Sequence, residues 1–277
     1  MVAQRTCFIS GLGAMGGALA RGLTKAALLS PGHLLGYDPL VERAQALQNE
    51  TGLVPVQGNR AGAEKADLIL LAVKPNLVTQ VLGEMGPALS QPKVVVSVAA
   101  GVPLSVMQAQ VPPQTSVLRV MPNTPALVGA GAFALSAGGS VAPETVQLVK
   151  GILGTMGLVV EVAEDQMDAV TGLSGSGPAF AAVFIEAMAD GGVRAGLPRG
   201  VALNLSAQTV LGAAKMVLEG QYHPAALKDM VTSPGGTTAA GLEALENGGL
   251  RAAAFQAVVA AARRSKEMTE QAQAKEK

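Results

Sequence analysis

Tryptophan is absent from this chain, aromatic residues make up only 3% of it and charged residues only 14%. A core without large rings has to be assembled from alanine, valine, leucine and methionine, and 34 glycines let its helices approach closely. Basic and acidic side chains number 20 each and cancel. No basic stripe interleaved with aromatics occurs, which argues against a nucleic-acid partner. The single cysteine, Cys7, leaves no internal disulfide to form and sits in an apolar run, where a core thiol is expected rather than a nucleophile. That usage fits a reducing compartment. The N-terminal MVAQRT lacks a signal-peptide pattern and no apolar run reaches membrane-spanning length, so the expected location is the cytoplasm, without a membrane partner. No metal site is expected. Apolar residues, by contrast, are plentiful, at 49% of 277. This suffices for two domains and for much surface buried between subunits.

Residues 7–10 form an apolar strand candidate, followed at once by Gly11-Leu12-Gly13-Ala14-Met15-Gly16 and a helical pattern through residue 28. In the order strand, GxGxxG, helix, the first glycine makes the tight turn, the second lets a diphosphate approach, and the third lets helix and strand pack closely. A structural glycine turn is the competing reading, which the context disfavours. A second strand over 33–37 ends at Asp38, 22 residues beyond Gly16. A carboxylate there either accepts hydrogen bonds from an adenosine ribose or serves as a turn residue or the cap of a helix over 40–49. The pattern recurs with a strand over 53–56 and a polar turn containing Asn59 and Arg60, suited to border an adenine. The run over 67–73 is continuously apolar, as a strand buried on both faces should be, and leads through Ala72 and Val73 to Lys74-Pro75. Pro75 suits the first turn of the next helix. Lys74 either faces a phosphate or ribose or is merely solvated. A strand over 93–98 runs into Ala99-Ala100-Gly101, small residues along which a cofactor can lie at the carboxyl edge of an open α/β sheet.

A sixth strand, 116–120, delivers Met121-Pro122-Asn123-Thr124-Pro125, a loop stiffened by prolines that either turns the chain or walls a nicotinamide. Strands over 131–136 and 157–162, with a helix over 143–153 between them, complete an α/β, Rossmann-like dinucleotide-binding domain spanning residues 1–163. The remainder, 164–277, reads as an all-α domain. A helix over 165–170 meets a glycine- and hydroxyl-rich break at 171–178. Helices over 179–195 and 199–218 are then apolar nearly all round, and such helices must be buried all round. That points to an interleaved homodimer, or else to packing on the first domain. A second break, KDMVTSPGGTTAAG at 228–241, sets hydroxyls and glycines before another helix. It is either an ordinary Pro-Gly turn or an anion site, where free amides, the helix dipole and the hydroxyls of Ser233, Thr237 and Thr238 hold a small carboxylate. The last helix, 250–270, ends in a charged stretch expected to be solvated and fraying.

The segments TGLSGSGPAF and KDMVTSPGGTT, together with MPNTPALVGAG, AVKP and GLGAMGG, resemble pyrroline-5-carboxylate reductase over nearly the whole chain, residues 7–270. TSPGGTT is far more specific than the dinucleotide fingerprint. The resemblance implies reduction of 1-pyrroline-5-carboxylate to L-proline, the last step of proline biosynthesis, with NADPH or NADH. It places the cofactor on Gly11 to Gly16, Asn59, Ala72 to Pro75 and Ala99 to Gly101, and the substrate carboxylate on Ser233 to Thr238, with Glu164 and Thr171 nearby. It also implies a dimer interleaved through the helical domain, often assembled further into rings of dimers.

The residues themselves favour an imine over a ketone. A developing alkoxide needs a proton donor, yet no lysine occurs between Lys150 and Lys215, and the histidines are His33 and His223. A cyclic imine binds already protonated and takes hydride directly. The carboxylate anchor is assigned to Ser233, Gly236 and Thr237, and the nitrogen contact to Thr238, with Thr171 as the alternative. Glu164 either favours the cationic ring or is a helix-start carboxylate. Both cofactors are expected to serve, with Asp38 leaning toward NADH and Arg43 or Arg60 offsetting it at a 2′-phosphate. The competing functions are another NAD(P)-dependent imine or hydroxyacid oxidoreductase, the latter requiring a lysine on the long second-domain helix, and a non-catalytic nucleotide binder.

Overall fold

In the computed structural model, which describes residues 4–139, 141–220 and 222–274, strand and helix alternate along the first part of the chain. The first three residues of MVAQRT and the last three of the charged tail lie outside the described residues. The elements are β1 (Cys7–Ser10), α1 (Ala14–Lys25), β2 (Leu34–Tyr37), α2 (Val41–Thr51), β3 (Val54–Pro55), α3 (Asn59–Lys65), β4 (Leu68–Leu71), α4 (Val78–Met85), β5 (Val94–Ser97), α5 (Leu104–Gln108), β6 (Ser116–Met121), β7 (Gly131–Ala137), α6 (Pro143–Gly154) and β8 (Gly157–Glu161). They form one sheet in the order β3-β2-β1-β4-β5-β6-β7-β8. Pairing is parallel through β6, β7 is antiparallel to β6, and β8 is parallel to β7.

The central strands bury both faces because alternate side chains serve two cores. Cys7, Ile9, Leu68, Leu70, Val94, Val96 and Leu118 pack with Leu19 and Leu23 of α1 and Ile152 and Leu153 of α6. Phe8, Ile69, Val95 and Val117 pack with Ala63 of α3, Leu82 and Met85 of α4 and Met107 of α5. Each fully buried leucine or valine contributes roughly 1.5–3 kcal/mol relative to exposure. Strands of four residues are therefore enough to hold the centre of the sheet.

After β8 come α7 (Met167–Val170), α8 (Gly177–Arg194), α9 (Arg199–Leu218), α10 (Pro224–Met230), α11 (Thr237–Asn247) and α12 (Leu250–Ala274). The chain divides into two compact units, residues up to 175 with those from 261 on, and residues 176–260. Residue 163 is where the strand pattern stops, but the segment to 175 packs with the sheet unit. Two long-range hydrogen bonds hold it there: Glu164 accepts from Leu104 N at 2.6 Å, and Asp168 accepts from Ser265 Oγ at 2.7 Å.

Three sequence expectations need correction. Asn59 and Arg60 begin α3 rather than lying in a turn. Residues 171–175 do not break the helical path; the chain bends only at Ser176, before α8 begins at Gly177. Thr171–Gly175 form a π-helical turn, in which the Thr171 and Ser174 hydroxyls donate to the carbonyls of Met167 and Val170 at 2.8 and 3.1 Å. Hydroxyls thus bond carbonyls of the preceding turn where the helix widens. Thirdly, α9 is long and apolar enough to cross a membrane, with mean hydropathy 1.3, although it contains no uninterrupted apolar run of that length. Within the second unit, α8 and α9 pack closely where Gly192 faces Ala202, and Ala189 of α8 is buried as well. Much of their apolar surface stays exposed, including Val183 at 66% and Leu205 at 55%.

Candidate active site

At the carboxyl ends of β1 and β4, where the strand order runs outward in both directions, a cleft of about 660 Å³ opens. This is the topological switch point at which open α/β sheets take ligands. Gly11 and Gly13 line it, with Asp38, Asn59, Ala72, Val73 and Lys74. Gly11 has φ +88°, and a Cβ there would stand 2.7 Å from the Ala72 carbonyl oxygen. A Cβ at Gly16 would stand 1.9 Å from the Gly11 carbonyl oxygen, so only glycine lets α1 start against the loop. At Gly13, the N-cap of α1, a Cβ would meet nothing nearer than Arg43, at 4.0 Å. The backbone before the first-turn amides of α1 is therefore open, the shape a diphosphate requires. Leu12 and Met15 turn their side chains into the core, and Ala14 begins α1.

Asp38 is buried, and both its oxygens are engaged: Oδ2 accepts from Leu12 N at 2.8 Å and Oδ1 from Leu40 N at 3.0 Å. The carboxylate thus braces the glycine loop and turns the chain into α2. Oδ1 keeps a lone pair that a ribose hydroxyl can use, whereas Oδ2 also faces Arg43 Nη1. Arg43 lies 3.4 Å from Asp38 Oδ2 and lines the cleft, whereas Arg60 pairs with Glu64 at 3.0 Å and does not line it. Asn59 is fixed by Ser10 Oγ, which donates to its Oδ1 at 2.7 Å, and by Glu84, which accepts from its Nδ2 at 2.6 Å. Sequence reasoning missed both partners. Ser10 had a signal, a hydroxyl directly before the first glycine, but Glu84 comes from α4 with none. Lys74 is exposed at the cleft and has no ion pair among the described residues. Pro75 opens a 3-10 turn, as expected. Ala99 and Ala100 follow β5 along the same sheet edge, and Gly101 takes φ +73°.

Glu164 opens a 3-10 turn, and its Oε1 lies 3.4 Å from the buried Arg119 guanidinium as well as bonding Leu104 N. The Thr171 hydroxyl gives its proton to Met167 O and keeps accepting capacity. In the second unit, Gly235 has φ +67° and Gly236 caps α11. No side chain caps that helix, contrary to the N-cap role expected of a hydroxyl residue. Ser233 Oγ lies 2.3 Å from where a Cβ of Gly236 would be, so glycine makes room for it. The first-turn amides of α11 have no partner within the helix. They adjoin the Thr237 and Thr238 side chains, exposed and half-buried respectively. Donors for a small carboxylate are thus gathered in this turn, while Glu164 and Thr171 belong to the first unit. Burial pushes the Cys7 thiol up to about 12, which leaves it protonated and unreactive.

A family profile described as pyrroline-5-carboxylate reductase dimerisation matches residues 164–268, and one described as NADP oxidoreductase, coenzyme F420-dependent, matches residues 5–101. The chain is 45% identical over 265 residues to the pyrroline-5-carboxylate reductase of Methanosarcina acetivorans, across 96% of this chain and 98% of that one. It is 41% identical over 263 residues to pyrroline-5-carboxylate reductase 2 of Homo sapiens, across 93% and 82%. Among solved structures, the Coxiella burnetii pyrroline-5-carboxylate reductase matches with a TM-score of 0.90 at 35% identity, covering 95% of this chain and 98% of that one. The Plasmodium falciparum pyrroline carboxylate reductase, solved with NADP bound, matches with 0.86 at 34%, covering 97% and 100%. A glycine cradle at the switch point, a helical segment with the dimerisation profile and identity of this extent lead to one conclusion: the chain belongs to the pyrroline-5-carboxylate reductase family.

Proposed function

We propose that this protein reduces 1-pyrroline-5-carboxylate to L-proline with NADH or NADPH, the closing step of proline biosynthesis. The observation that carries the reading is similarity to pyrroline-5-carboxylate reductases along almost the entire chain, with the glycine cradle intact. When bound, the dihydronicotinamide supplies a hydride to the imine carbon. The ring nitrogen keeps the proton it brought, so no side chain has to deliver one at the transition state. The chain's own task is to hold and orient. Gly11, Gly13 and the opening amides of α1 receive the diphosphate, Asp38 the ribose, Asn59 the adenine side, and residues 72–75 and 99–101 the remainder of the dinucleotide. Ser233, Gly236 and Thr237 anchor the substrate carboxylate, and the Thr238 hydroxyl accepts from the ring nitrogen, with Thr171 as the alternative acceptor. Glu164, held by Leu104 N and Arg119, adds negative potential for a cationic ring.

The dimerisation segment is read as forming an interleaved homodimer in the cytoplasm, assembled further into a ring of dimers. The exposed apolar faces of α8 and α9 support a protein partner over a bilayer, because Asn204, Gln208, Thr209 and Lys215 punctuate α9. The test is oxidation of NADH and NADPH by purified protein with and without added pyrroline-5-carboxylate. Protein that binds cofactor but oxidises neither form in response to substrate would overturn the proposal.

A further inference from the structure

Asp168 stands in the first turn of α7, and its Oδ1 accepts from Ser265 Oγ at 2.7 Å and lies 3.2 Å from Thr269 Oγ1, both in the last turns of α12, the one Thr269 proton being shared with the Ser265 carbonyl at 3.1 Å. Ser265 is buried, and no ion pair among the described residues includes Asp168. Neutral hydroxyls alone therefore bond this carboxylate, through hydrogen bonds strengthened by its charge. The same Thr269 oxygen lies 3.6 Å from where a Cβ of Gly101 would be, and Gly101 occupies left-handed φ +73°. The end of α12 thus rests on bare backbone at residue 101. On the other side of that turn, Ala99 N donates to Ser97 Oγ at 3.3 Å, while the amides of Ala100 and Gly101 have no hydrogen bond among the described residues. These are two donors at the carboxyl edge of β5, in a turn supported from one side by Ser97 and from the other by Thr269.

We propose that Asp168 is a positioning residue for the dinucleotide. Through Ser265 and Thr269 it holds the end of α12 against Gly101 and so fixes the turn whose free amides face the nicotinamide end of the cofactor. This rests on the reading of residues 99–101 as part of the cofactor site. With the lock open, Gly101 is free to leave its left-handed conformation, and the donors at 100 and 101 lose their direction. The adenine end, bound at Gly13, Asp38 and Asn59, is untouched.

The test measures dissociation constants for NADPH and NADH by reduced-nicotinamide fluorescence, and for the nicotinamide-free fragments 2′,5′-ADP and ADP by calorimetry. Wild type is compared with Asp168→Ala, Thr269→Val and Thr269→Ser, with melting temperatures recorded. Thr269→Val and Asp168→Ala should each weaken dinucleotide binding about five- to tenfold, as expected for one lost hydrogen bond. Fragment binding should stay within about twofold, and Thr269→Ser, which keeps the hydroxyl, should restore dinucleotide affinity. A merely structural role would lower the melting temperature and leave the ratio of dinucleotide to fragment affinity unchanged. That result, or an unaltered dinucleotide constant in folded Thr269→Val, overturns the inference. If Asp168→Ala does not fold, the Thr269 pair decides. Absence of pyrroline-5-carboxylate turnover in wild type that still binds dinucleotide would count against the proposed reaction and leave the binding comparison decisive for the lock.

Discussion

Replacing Arg43 by alanine should separate the two nicotinamide cofactors. Its Nη1 lies 3.4 Å from Asp38 Oδ2, long for a charge-assisted bond, and the side chain is 47% exposed. It also borders a hollow of about 310 Å³ beside Gly13 and Gly17, which Arg21 lines as well. A guanidinium so loosely held can turn to a 2′-phosphate without giving up a strong interaction. A hydrogen bond to a charged group is worth about 1.5–3 kcal/mol, and half-exposure argues for the low end, roughly tenfold in affinity. Arg43→Ala should therefore lower kcat/KM for NADPH about tenfold and leave NADH within about twofold. Asp38→Ser should move the ratio the other way, since the carboxylate repels a 2′-phosphate. It should also weaken both cofactors, because Leu12 N and Leu40 N lose their acceptor, at about 1–3 kcal/mol for an orphaned buried amide. The assay is steady-state oxidation of each cofactor at saturating pyrroline-5-carboxylate. An unchanged ratio in Arg43→Ala refutes the phosphate role, and an unchanged ratio in Asp38→Ser reduces Asp38 to a brace of the glycine loop.

Thr238→Ala should reduce turnover roughly tenfold to a hundredfold while leaving dinucleotide affinity nearly unchanged, as loss of one transition-state hydrogen bond predicts. Full activity would move the nitrogen contact to Thr171 or to water. Light scattering should show a dimer that Leu205→Asp dissociates, because Leu205 is an exposed apolar residue of α9. A stable, active wild-type monomer at low concentration would contradict this. Cys7 should resist thiol reagents in the native protein at pH 8 and react on unfolding. The folded state keeps this proton up to about 12, whereas the unfolded thiol releases it near 9.0, so Cys7 makes stability fall as pH rises across that window. Urea midpoints at pH 8 and 10 should therefore diverge more for wild type than for Cys7→Ala, and equal divergence would refute the assignment.

The local features of the fold were legible because their causes are local. Short continuous apolar runs such as LILL mark strands buried on both faces, and the spacing of Gly11, Gly13 and Gly16 marks a turn that only glycine permits. The Ser233 to Thr238 turn was legible for the same reason: its glycines make room for a hydroxyl and leave the α11 amides open. Other features needed partners distant in sequence. Whether Asn59 lies in a turn or a helix, and that Ser10 and Glu84 hold it, was decided by packing of α3 and α4 against β1. Asp38 was ambiguous because ribose acceptor and turn brace call for the same residue type, and only the fold brings Leu12 N within 2.8 Å of it. The π-helical turn at Thr171 looked like a break because glycine and hydroxyl residues weaken a helix unless their side chains find carbonyls, as here. The return of α12 to the sheet unit had no sequence signal at all. A carboxylate at 168 and hydroxyls at 265 and 269 are ordinary surface residues until the tertiary structure closes the loop of nearly a hundred residues between them and buries Ser265.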